Sequence, residues 1–107
     1  MSRHLLAYFC SDHSEDEVAA LRVLVDELSA GHGWAHGPPE FEEQPGEESP
    51  TVATEVAGAD EAKRLIDALA KFSKKHEIDF VVEAEDEVVD TIESGVIGKA
   101  IQTSLLN

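Results

Sequence analysis

The chain predicts an α+β sandwich of order β-α-β-β-α-β, followed by a C-terminal helical extension. Three observations carry that prediction. Residues 60–82, DEAKRLIDALAKFSKKHEIDFVV, change from a helical to a strand period in mid-stretch. Residues 14–17, SEDE, have the S-x-x-E form of a capping box ahead of an apolar run. Residues 4–10 and 51–56 alternate as strands do.

In chain order, residues 4–10 form the first predicted strand. Leu5, Ala7 and Phe9 alternate with Leu6, Tyr8 and Cys10, so both faces are mainly apolar, as in a central strand covered on two sides. A first helix is expected over residues 15–30. Glu15, Asp16 and Glu17 suit the positive end of its dipole, and Val18, Leu21, Leu24, Val25 and Leu28 form its buried stripe. Gly31 fits the left-handed position that ends many helices. Residues 31–50 are rich in Gly and Pro. Trp34 is a possible strand start, residues 40–44 an edge strand, and residues 45–50 a turn. Residues 51–56 form a firmer strand, with Val52, Thr54 and Val56 on one face.

The second helix places Ala62, Leu65, Ile66, Leu69, Phe72 and His76 on one side. Asp60 is the expected N-cap. Lys63 with Asp67, and Asp67 with Lys71, are i,i+4 pairs of opposite charge. Ile78, Phe80 and Val82 then define a strand face. This order resembles a ferredoxin-like sandwich with its core over residues 4–84, a fold that hosts many functions. In the extension, residues 85–107, Val88, Val89 and Ile92 suggest a short helix ended by Gly95. Ile97, Ala100, Ile101, Ser104 and Leu105 suggest another. Such a sandwich leaves one sheet face open, and the tail, a partner or a second copy is expected to cover it.

A chain of 107 residues with 42% apolar content is expected to be one domain with a substantial core. The single cysteine excludes an internal disulfide. No apolar run reaches membrane-span length, and MSRHLLAYFC is a poor signal peptide, so a cytoplasmic protein is expected. Charge is the unusual feature. There are 23 acids and 8 bases, a net of −15. Residues 60–75 hold five bases and three acids, +2, which leaves −17 on the rest. Such a field repels nucleic acid and anionic membrane and attracts basic proteins.

Few residues assemble into a chemical site. Cys10-x-x-His13 and His32-x-x-x-His36 are zinc-type ligands. The helix between them is about 24 Å long at about 1.5 Å per residue, which sets the pairs apart. Cys10 precedes a helix N-terminus, but nearby acids disfavour a thiolate, and an ordinary buried cysteine is expected. Val96-Ile97-Gly98-Lys99 is similar to the opening of the KH-domain RNA-clamping loop, with Ile101 where the second glycine belongs. No nucleophile–base pair, Walker loop or dinucleotide glycine pattern is present, and no cofactor or metal is expected.

Two acidic stretches remain. Residues 40–48 carry Glu40, Glu42, Glu43, Glu47 and Glu48; residues 77–93 carry Glu83, Glu85, Asp86, Glu87, Asp90 and Glu93 among eight acids, and neither stretch contains a base. Carboxylates spaced along a sheet imitate phosphates. The expected function is therefore a small inhibitor that occludes the basic, nucleic-acid-binding surface of a partner protein. In size and charge the chain resembles small acidic phage inhibitors (anti-CRISPR or anti-restriction proteins) and immunity proteins against nuclease toxins. The alternative is a dimeric regulatory or ligand-binding domain in which Tyr8, Trp34 and His36 would act.

Overall fold

The computed structural model describes residues 2–10, 13–31, 33–43 and 50–106. Six strands and three helices follow one another as β1 (Arg3–Phe9), α1 (Glu15–Ala30), β2 (Glu40–Glu42), β3 (Thr51–Val56), α2 (Ala59–His76), β4 (Phe80–Ala84), β5 (Glu87–Glu93), β6 (Val96–Ile97) and α3 (Lys99–Leu105). The result is a mixed α+β fold. The strands form one open sheet of order β2-β3-β1-β4-β5-β6, antiparallel at every pairing. Both edge strands are short, which limits the free backbone presented to another chain.

The capping box at α1 forms: Ser14 Oγ accepts from the Glu17 N–H at 3.2 Å, and the Glu17 carboxylate accepts from the Ser14 N–H at 2.9 Å. The end of α1 differs from expectation. Gly31 is extended, with φ −77°, and its N–H donates to Leu28 O at 3.2 Å. α2 also starts differently. Its N-cap is Gly58, and Asp60 lies inside the first turn without a capping bond. Glu61 is engaged instead, accepting from the N–H groups of Ala57 (3.3 Å) and Ala35 (3.2 Å). Neither expected i,i+4 pair through Asp67 closes to an ion pair among the described residues. Trp34 starts no strand, because Ala35 and His36 form a turn closed by a bond from Gly37 N–H to Trp34 O. The edge strand is Glu40–Glu42; Gln44 lies outside the described residues.

The helices pack on one sheet face. Leu65, Ile66, Leu69 and Phe72 of α2 meet Leu5, Ala7 and Phe9 of β1 and Phe80 and Val82 of β4 in one buried cluster. Each large side chain so buried contributes about 1.5–3 kcal/mol. Phe72 stands 6.2 Å from Phe9 and 5.8 Å from Phe80, ring centre to ring centre, and Phe9 stands 5.2 Å from Phe80. Ile101 and Leu105 of α3 join the same cluster. The tail therefore extends the helical layer, and among the described residues no helix covers the opposite face. That placement also corrects β1: it is central in the sheet but covered on one side, with Leu6 and Tyr8 half-exposed.

Residues 87–93 form a strand, where a helix was expected. Glu85 and Asp86 make a two-residue turn with both φ positive, 52° and 66°, the signature of a hairpin turn whose twist matches the strands. Ile92 then lies opposite Phe80. A register shift after Val82 sets Glu83 against Val88 and Val82 against Asp90, so Val89 is an extra residue. This bulge breaks the two-residue period and leaves an apolar spacing that imitates a helix.

α3 is fixed to β5 by one carboxylate. Asp90 accepts from the Thr91 N–H at 2.8 Å and the Ala100 N–H at 3.0 Å. Gly98 donates its N–H to Thr91 O at 2.9 Å. A Cβ at Gly98 would overlap the Asp90 carboxylate, so glycine is needed there for space; its φ of −59° suits any residue. Gly98→Ala is expected to lower stability by about 1–3 kcal/mol and Asp90→Ala by about 1–2 kcal/mol, read as lower urea midpoints. Unchanged midpoints would contradict this account of α3.

Candidate docking face

Strand register places every side chain of the bare face. One row across the sheet is Glu40, Ala53, Leu6, Glu83 and Val88. The next is Glu42, Thr51, Tyr8, Val81 and Thr91. His4 and Glu55 pair beyond the first row. Cys10, Asp79, Glu93 and Val96 close the other end, where the Cys10 N–H donates to Asp79 O at 3.0 Å. The centre is thus Leu6, Ala53, Tyr8 and Val81, and carboxylates surround it. Val88 and Val96 project from the same face at the β5–β6 end, 63% and 69% exposed.

No lysine or arginine stands on this face. Seven of the eight are on helices. The eighth, Arg3, turns to the helical side and donates to Ser104 O at 2.6 Å. Of 23 acids, those at 40, 42, 55, 79, 83 and 93 line the sheet face. Two of these, Glu55 and Asp79, belong to no predicted site. The signal for Glu55 was its odd place in the alternation of residues 51–56. Ser94 donates its N–H to Asp79 at 3.2 Å, and His36 Nδ1 lies 3.8 Å from Glu55.

The remaining acids of the two stretches divide by location. Glu85, Asp86 and Glu87 sit exposed at the β4–β5 hairpin tip; the Glu85 carboxylate accepts from the His4 N–H at 2.9 Å, and its own N–H donates to His4 O at 3.0 Å. Glu43 pairs with Arg22 of α1 at 2.6 Å. Asp90 is turned inward to hold α3. Glu47 and Glu48 lie outside the described residues.

Two groups on the face feel its charge. The Glu83 carboxylate accepts the Tyr8 hydrogen bond, and this, with burial and the negative charge of Glu83, pushes the phenol up to about 12. Cys10 is exposed, where a buried cysteine was expected. Its thiol is raised by partial desolvation and then by Asp79 and Glu93, which disfavours a reactive thiolate. The alternative ligand-binding trio does not assemble. Trp34 is held against the helical layer by its Nε1–H bond to Leu28 O at 3.0 Å and by Arg64, 4.0 Å above its ring, while Tyr8 lies on the opposite side of the sheet.

Among the described residues no group of three or more His, Cys, Asp and Glu side chains is placed to hold a metal ion, and His32 lies outside them. No described helix is long and apolar enough to cross a membrane. Compared with protein-family models, curated proteins and solved structures, the chain matches none.

The chain has one tyrosine, so tyrosinate absorbance reads Tyr8 alone. Its midpoint is expected near 12 in the folded protein and lower in Glu83→Gln. Because the folded pKa exceeds the unfolded value of about 10, the bond stabilises below pH 10, and that stabilisation is lost as pH rises through 12. A midpoint at about 10 with the fold intact would contradict the Tyr8–Glu83 bond.

Proposed function

We infer that the bare sheet face is the working surface of a small acidic inhibitor, which docks on a basic, nucleic-acid-binding surface of a partner protein and occludes it. One observation carries the reading: the face bears six carboxylates around an apolar centre and no lysine or arginine. Adjacent strands stand about 4.8 Å apart and alternate residues about 6.6–6.8 Å apart along each strand. Carboxylates fixed on that lattice resemble a phosphate array in charge and spacing. The apolar centre gives a contact that persists when salt screens the charges.

The order β2-β3-β1-β4, with α1 and α2 on one side, supports a ferredoxin-like reading of residues 3–84, to which β5, β6 and α3 are added. In that reading the acids of β5 enlarge the open face past β4. A face-to-face homodimer is the less favoured alternative, since it would set two carboxylate-rimmed surfaces against each other.

The test measures association with purified basic DNA- and RNA-binding proteins, together with displacement of their nucleic acid. Glu42→Gln/Glu83→Gln/Glu93→Gln is compared with Asp26→Asn/Glu27→Gln/Asp60→Asn, which removes equal charge elsewhere. The face variant is expected to lower the on-rate roughly tenfold and the control less than about threefold. Equal losses in both variants, or an on-rate indifferent to salt, would refute the docking face.

A further inference from the structure

The opposite surface carries a second feature. α1 and α2 diverge to leave a groove of about 580 Å³ floored by Ala20, Val23, Leu24, Ala68 and Phe72. Val23 is 55% exposed, and Val88 and Val96 on the sheet face are the other large exposed apolar residues among those described. Lys71 and Lys75 stand on the α2 rim with Arg64 and His76; the acids of the lining are Glu27 and Asp67. Neither lysine has an ion pair among the described residues, although acids outnumber bases 23 to 8. Arg64 is already committed to Trp34 and to Gly33 O, 3.3 Å away. Glu27 and Asp67 are likewise without an ion pair among the described residues, so the cationic excess lies on the α2 rim, where Arg64, Lys71 and Lys75 stand against Asp67 alone.

We propose that this groove seats an amphipathic, carboxylate-bearing helix of a partner protein. Groove shape and wall chemistry select a helix. From Arg64 to His76 the α2 wall runs about 18 Å, at about 1.5 Å per residue, which matches three turns of an incoming helix. Both walls are helices whose mid-segment backbone groups are bonded within the helix, so an extended peptide finds no ladder partners there. Recognition must come from side chains, and a helix presents apolar anchors at i, i+3, i+4 and i+7 to such a groove. Charge selects acidic flanks, because carboxylates on the α2 side of the incoming helix meet Lys71 and Lys75. The protein's net −15 opposes an acidic ligand at long range. The sheet-face acids lie beyond the helical layer, and a Debye length of about 8 Å at physiological salt screens them more than it screens the adjacent lysines.

The test uses the full chain, a stapled helical peptide with Leu at i, i+3, i+4 and i+7 and Glu elsewhere, and a counterpart with Lys for Glu. By fluorescence anisotropy at about 0.15 M salt, the Glu peptide is expected to bind at least roughly tenfold more tightly than the Lys peptide. Lys71→Glu/Lys75→Glu and Val23→Asp alter exposed side chains, and each is expected to weaken it roughly tenfold. The sheet-face variant is expected to bind it unchanged, which separates this site from the docking face. The proposal is overturned if neither peptide binds at about 1 mM, if the two bind equally, or if the lysine and Val23 variants have no effect. Displacement of the peptide by dodecanoate would assign the groove to small amphipathic anions and overturn it. A concentration-dependent doubling of mass that Val23→Asp abolishes would place a second copy there, with the same consequence.

Discussion

The contact of α2 with β1 and β4 is the constraint on which the rest of the structure depends. Phe72 lies against Phe9 and Phe80, and Leu65, Ile66 and Leu69 are essentially without exposure. This one helix fixes which side of each strand is core. Leu5, Ala7 and Phe9 must face it, so Leu6 and Tyr8 must face away; a one-residue slip would exchange the two sets. α1 adds Leu21 and Val25 to the same core, and α3 adds Ile101 and Leu105. With all three helices on one side, the other side of the sheet remains bare.

Charge segregation follows from that packing. Helices hold seven of the eight bases, because their solvent faces accommodate long flexible side chains. Strands β2, β3, β4 and β5 supply outward acids at Glu40, Glu42, Glu55, Glu83 and Glu93. The molecule therefore combines an acidic sheet face with an opposite groove whose α2 rim carries Arg64, Lys71 and Lys75 against Asp67.

The elements legible in the sequence were those with undisturbed periods. α1, α2 and β3 follow from local patterns that burial enforces at Leu21, Leu69 and Val52. β5 was hidden because its bulge places Val89 out of phase, and because its turn uses Glu85 and Asp86 instead of the Asn-Gly that announces such hairpins. The acidic sheet face was legible only in part. Counting acids along residues 77–93 gathered Glu83 and Glu93 with Asp90. Only tertiary structure distinguishes a carboxylate that faces solvent from one that secures the start of α3. Glu55 joins the face through the pairing of β3 with β1, which no local reading contains, and Asp79, counted with the acids of residues 77–93, is placed beside Cys10 by the bond from the Cys10 N–H to its carbonyl.

The most direct measurement of the segregated field is amide-by-amide NMR line broadening by paired cationic and anionic soluble nitroxides. The cationic probe is expected to broaden the amides around Tyr8, Glu83 and Glu93 more than the anionic probe does, and the preference is expected to shrink or reverse around Lys71–Lys75. A uniform preference for the cationic probe over both surfaces would contradict it, because the acidity would then be a general coat and the bare sheet face no more than one part of it.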